Sequence, residues 1–119
     1  MNAINTAALA TVFLVFYALV ALQPVRLSVT KRISFAPLDT IAQVVVPRHV
    51  DNFYLCITLW YGGEEEDKGC WTLNGNSSPV FTRKWRMWEP GKHYGMAQLW
   101  RGKETFYSAI VPLTVVEGE

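Results

Sequence analysis

Phe53-Tyr54-Leu55-Cys56-Ile57-Thr58-Leu59-Trp60 decides the fold. Phe53, Leu55, Ile57 and Leu59 alternate with Tyr54, Cys56, Thr58 and Trp60, the period of two that sends successive side chains to opposite faces of a strand. The first set is the more aliphatic, so it faces a core and the stretch reads as a half-buried β-strand. Gly62-Gly63 ends it, and the acidic run 64–67 (EEED) is expected as a solvated tip. The run lacks the alternating Asp/Asn pattern and the glycine of a calcium loop.

The same pattern continues on both sides. Residues 41–46 (IAQVVV) form a short apolar run stopped by Pro47. Residues 70–73 start a strand that runs into the turn Asn74-Gly75-Asn76. Residues 80–88 place Phe81, Trp85 and Met87 on one face, with Lys84 and Arg86 on the other. Glu89-Pro90-Gly91 turns the chain into a strand over 94–100, and Arg101-Gly102-Lys103 makes a hairpin loop. In one last strand Tyr107, Ala109, Val111, Leu113 and Val115 share a face. Pro112 falls on the other, where its missing N–H calls for an edge or a bulge. Six or seven short strands at close spacing predict an all-β sandwich.

Residues 90–99 (PGKHYGMAQL), followed by Gly102 and a closing strand, resemble the end of bacterial immunoglobulin-like and fibronectin-III-like domains. The likeness in strand order covers residues 41–117. It implies an immunoglobulin-like sandwich, with Tyr94 where such domains carry a corner tyrosine. Two features depart from the family pattern. Ala97 follows Tyr94 by three residues rather than four, and the cysteines are not those that join the two sheets of an antibody domain. A shared fold implies no shared function.

At the N-terminus, residues 7–22 (AALATVFLVFYALVAL) carry no charge. With weakly polar flanks they reach roughly 20 to 25 residues, enough for a helix to cross about 30 Å of hydrocarbon. Phe13, Leu14, Phe16, Tyr17 and Leu19 would face lipid or a neighbouring helix, and Pro24 stops the helix. The competing reading, a cleaved signal peptide, needs a basic n-region and a small-x-small cleavage site. No Lys or Arg precedes Arg26, and Leu19-Val20-Ala21 has a bulky residue where a small one is preferred. The expected organisation is an anchor helix over 1–25, a juxtamembrane linker and first strand over 26–40, and a β-sandwich over 41–119. Arg26, Lys31 and Arg32 favour a cytoplasmic domain by the positive-inside tendency. A disulfide would favour export, and the periplasmic or extracellular side is the expectation.

Two cysteines in 119 residues, Cys56 and Cys70, flank one loop. Paired, they would close about 15 residues, stabilise the domain by roughly 3 kcal/mol and require an oxidising compartment. The alternative is two half-buried free thiols. Neither they nor the distant His49 and His93 have metal-ligand spacing, and no cofactor is implied. Asn76-Ser77-Ser78 fits a glycosylation sequon, which matters only in a eukaryotic secretory setting.

Net charge is +1, too small to predict nucleic-acid binding. No catalytic or phosphate-binding motif occurs, so an enzyme is not expected and no small-molecule substrate is indicated. Five Trp, five Tyr and six Phe exceed what a small sandwich buries. Arg83, Trp85, Arg86, Trp88, Tyr94, Trp100 and Arg101 interleave cations with aromatics, as protein and headgroup interfaces do. Core packing with incidental charges is the alternative. The functional expectation is an accessory or structural subunit of a larger membrane complex, photosynthetic or respiratory complexes being the natural setting. Its helix would pack among integral membrane proteins in the bilayer while its sandwich caps or bridges them. A surface-displayed adhesion or glycan-binding module is the second expectation.

Overall fold

A computed structural model describes residues 23–118. The expected anchor residues Phe13, Leu14, Phe16, Tyr17 and Leu19 lie outside them. Among the described residues no helix is long and apolar enough to cross a membrane.

The described chain is all β. Its strands are β1 (Arg26–Val29), β2 (Ile33–Phe35), β3 (Leu38–Val45), β4 (Asn52–Tyr61), β5 (Glu64–Thr72), β6 (Val80–Met87), β7 (Gly91–Arg101), β8 (Glu104–Tyr107) and β9 (Val111–Val116). The smaller sheet has the order β1-β3-β6, and the larger has β2-β9-β7-β4-β5, with β8 also on β7. Every pairing is antiparallel except β2 with β9. Residues 26–40, expected as a linker with a first strand, thus hold β1, β2 and the start of β3. The Ala36–Pro37 peptide, where the chain crosses between sheets, is cis.

The two sheets enclose a core built by alternation. Leu38, Ala42 and Val44 of β3, with Trp85 and Met87 of β6, meet Leu55, Ile57 and Leu59 of β4, Ala97 and Leu99 of β7, and Leu113 and Val115 of β9. Each fully buried side chain of this size contributes about 1.5–3 kcal/mol. Trp85 lies across β7 at Gly95. A Cβ there would stand 2.8 Å from the indole ring, so only glycine admits the tryptophan.

Three expectations change. The acidic run is part of β5, because Gly62 and Gly63, both at positive φ, make a two-residue hairpin loop that pairs Tyr61 with Glu64. Leu59 opposes Asp67 while Trp60 opposes Glu65, so Glu66 is the extra residue of a bulge. The last strand is two strands on the same side of β7. Ser108 breaks it, its hydroxyl accepting the Ala97 N–H at 2.8 Å, and Tyr107 and Ala109 turn outward while Val111, Leu113 and Val115 stay in the core. Phe53 is exposed, because it bulges between the pairs Asn52–Arg101 and Tyr54–Trp100. Pro112 stands as its missing N–H requires. Thr114, two residues on, donates to the Arg32 carbonyl, so the Pro112 nitrogen faces the same side beyond the start of β2.

Candidate interaction surface

Paired residues of neighbouring strands lie side by side on one face of a sheet. On β4 and β7 the inward positions are core, and the outward ones pair side by side: Tyr54 beside Trp100, Cys56 beside Gln98, Thr58 beside Met96, and Trp60 beside Tyr94. Tyr54 and Tyr94 are exposed, while Cys56 and Thr58 are covered by their neighbours. None of these eight side chains carries a charge. Tyr54 and Trp100 touch as tilted rings 5.3 Å apart. Tyr107 extends the strip from β8, with Gln98 Nε2 donating to its hydroxyl. Beyond β9, Ile33 and Phe35 of β2 are more than half exposed. Charges stand towards the edges, with Glu65 and Lys68 on β5 and Lys92 at the start of β7. The outer face of the smaller sheet differs. There Arg86 Nε donates to Asp39 at 2.6 Å, and Thr30, Asp39, Thr40, Ile41, Lys84, Trp85 and Arg86 line an open groove of about 450 Å³.

Cys56 and Cys70 face each other across β4 and β5 and are joined as a disulfide, with Cα atoms 4.1 Å apart. The bond lies on the outward side of the larger sheet.

The seven residues expected to form an interface do not share one surface. Trp85 is in the core at 2% exposure. Arg83 points inward from β6, and its Nη2 donates to Asp67 Oδ1 at 2.8 Å. Trp85 Nε1 donates to the same carboxylate at 3.0 Å. This network ties β6, an edge of one sheet, to β5, an edge of the other. It holds the Asp67 carboxyl below its ordinary 3.8, chiefly through the Arg83 hydrogen bonds, while burial pushes it up. Arg101 donates to Asn52 Oδ1 at 2.8 Å and lies over the Phe106 ring. Arg86 is on the outer face of the smaller sheet, and Trp88 is exposed just past β6. Tyr94 and Trp100 belong to the uncharged strip. The interleaving in 83–88 is therefore the period of a strand, with Trp85 and Met87 inward and Lys84 and Arg86 outward.

His93, and not Tyr94, takes the inward place at the start of β7. It is fully buried, stacks on Tyr61 with ring centroids 4.4 Å apart, and uses both nitrogens. Nε2 donates to the Glu89 carbonyl at 2.8 Å, and Nδ1 meets the Glu66 carboxylate at 2.6 Å. Tyr61 donates its hydroxyl to the Pro90 carbonyl at 2.8 Å. Together they lock the β6–β7 turn onto the β4–β5 hairpin. The roles of Glu66 and Asp67 were hidden in a run that reads as solvated. Gly62-Gly63 was the available signal, since a two-residue glycine loop obliges the strand to resume at once.

Among the described residues no three His, Cys, Asp or Glu side chains converge as metal ligands. No model of a known protein family matches the chain, and no characterised protein matches it in sequence.

Proposed function

We propose that the chain is a non-catalytic, membrane-anchored accessory subunit. Its N-terminal helix packs against larger integral membrane proteins, and its sandwich caps or bridges them on the periplasmic or extracellular side. The observation that carries the reading is the uncharged outer strip from Tyr54 and Trp100 to Trp60 and Tyr94. Exposed aromatics free of like-charge repulsion suit a lasting protein contact. The disulfide fits an oxidising compartment. We read the sandwich as immunoglobulin-like because the order β1-β3-β6 against β9-β7-β4 parallels strands A-B-E and G-F-C of that fold, without a counterpart of its strand D among the described residues.

Extraction from the native membrane in mild detergent, followed by native electrophoresis, should find the chain in a large particle with co-purifying membrane proteins. A clean monomer under those conditions counts against the reading. It would favour the second one, a glycan-binding module, which the solvent-facing Tyr54–Trp100 pair beside Gln98 supports. The isolated domain would then bind oligosaccharides and lose them on Trp100→Ala.

A further inference from the structure

The apolar run ends at Leu22, and Val25 is already in the core at 4% exposure. Only Gln23 and Pro24 lie between. From Leu22 to Val25 a fully extended chain spans at most about 10 Å. The headgroup layer on each side of a bilayer is about 5–8 Å thick. A sandwich on so short a tether cannot stand clear of the surface.

The register shows which end is held there. Arg26 opposes Val45 on β3, and Val45 opposes Val80 on β6. The start of β1, the end of β3 and the start of β6 therefore lie together. Past Val46, level with Val25, residues 47–51 run on in the direction of the tether before β4 turns back. Val50 at the tip of this loop is 80% exposed. The loop is firmly held. Arg48 Nε donates to the Ser77 carbonyl, Asn52 Nδ2 to the Pro47 carbonyl, and Gly102 N–H to the Asp51 carbonyl. A Cβ on Gly75 would stand 3.4 Å from the Val50 Cα, so the β5–β6 loop backs it directly. This end carries Arg26, Arg48, Arg101 and Lys103 against Asp51 and Glu104. At the opposite end Glu64, Glu65, Glu89 and Glu117 stand against Lys31, Arg32 and Lys92, so positive charge does not prevail there.

We propose that this end of the sandwich seats on the lipid headgroups, with Val50 dipping among them and the Arg26, Arg48 and Lys103 side chains meeting phosphates. The inference rests on residues 7–22 spanning the membrane. It turns Trp88 away from the bilayer, since Trp88 is eight residues past Val80 along β6 and roughly 27 Å from that end.

The test uses the full chain in nanodiscs of phosphatidylcholine and phosphatidylglycerol. A polarity-sensitive fluorophore is attached to Val50→Cys or, separately, to Trp88→Cys, and a fraction of the lipid carries a headgroup nitroxide quencher. Quenching several-fold stronger at position 50 than at 88, with a blue-shifted emission at 50, is the expected result. Parallel carbonate extraction of native membranes separates the two premises. If the chain stays in the membrane but the two positions quench alike, the seating is overturned alone. If carbonate releases the chain, the anchor falls and the seating with it.

Discussion

At the scale of single residues, Asp67 has the largest consequences. Its carboxylate accepts from Arg83 and from Trp85 Nε1, and its pKa is lowered in the folded state. A group lowered on folding stabilises the protein above its unfolded pKa, and the contribution fades as pH falls through the folded value. The window therefore opens near the ordinary 3.8 and extends downward. Asp67→Asn is expected to cost about 1–2 kcal/mol at neutral pH, because charge-assisted hydrogen bonds are lost while solvent screens part of the ion pair. The variant should also lose less stability than wild type between neutral pH and pH values below that window. Urea midpoints measured across the range decide it, and parallel acid limbs would remove Asp67 from the account. Asp39 is the control. Its carboxyl is lowered by Arg86 too, but the pair is more than half exposed and solvent screens it, so Asp39→Asn should change the acid limb much less than Asp67→Asn.

At the scale of elements, β4 and β5 show what the sequence makes legible. The alternation placed Leu55, Ile57 and Leu59 in the core, because over 55–59 the strand is paired on both sides without a register shift and keeps its period. Opposed cysteines need more than the Gly62-Gly63 loop: a regular hairpin would set Cys56 against Gly69, and the extra residue Glu66 shifts the pairing to Cys70. Removing the disulfide by Cys56→Ala with Cys70→Ala should cost about 2–3 kcal/mol through the freed unfolded chain. In a domain of this size that is on the order of 10–20 °C in melting temperature. Thermal unfolding followed by circular dichroism would show it, and a shift of only a degree or two would mean that the ladder around the bond carries the hairpin unaided. What was not legible sits where the period breaks. The Glu66 bulge returned two acids to structural work, the Phe53 bulge expelled an aromatic, and Ser108 split one strand into two. A bulge arises from pairing with a distant strand, which no local pattern encodes. The candidate interface failed to read correctly for a related reason. Seven residues close in sequence were sorted by strand period and sheet membership into a core, two internal polar contacts and two opposite faces.

At the scale of the whole molecule, the decisive question is where the domain begins. The sequence pattern placed the sandwich from residue 41, yet β1 covers the edge of β3 over four pairs and brings Val25 into the core, with Leu27 and Val29 packed against it. Losing these three side chains should remove about 3–6 kcal/mol, a large part of the 5–15 kcal/mol that holds a typical domain. It would also uncover β3 as an unpaired edge beside apolar surface, the arrangement that invites chain-to-chain pairing. A fragment over 23–119 should therefore unfold cooperatively as a soluble monomer, whereas one over 33–119 should aggregate or melt without a sharp transition. Light scattering and denaturant unfolding of the two fragments compare them directly. Equal midpoints would show that β1 is an appendage, and the two residues between Leu22 and the core would then no longer be a rigid limit on the tether. A large difference makes β1 the mechanical link, because the strand that completes the smaller sheet is the one that leads to the apolar run, and any tilt of that run would be passed to the sandwich with only Gln23 and Pro24 to absorb it.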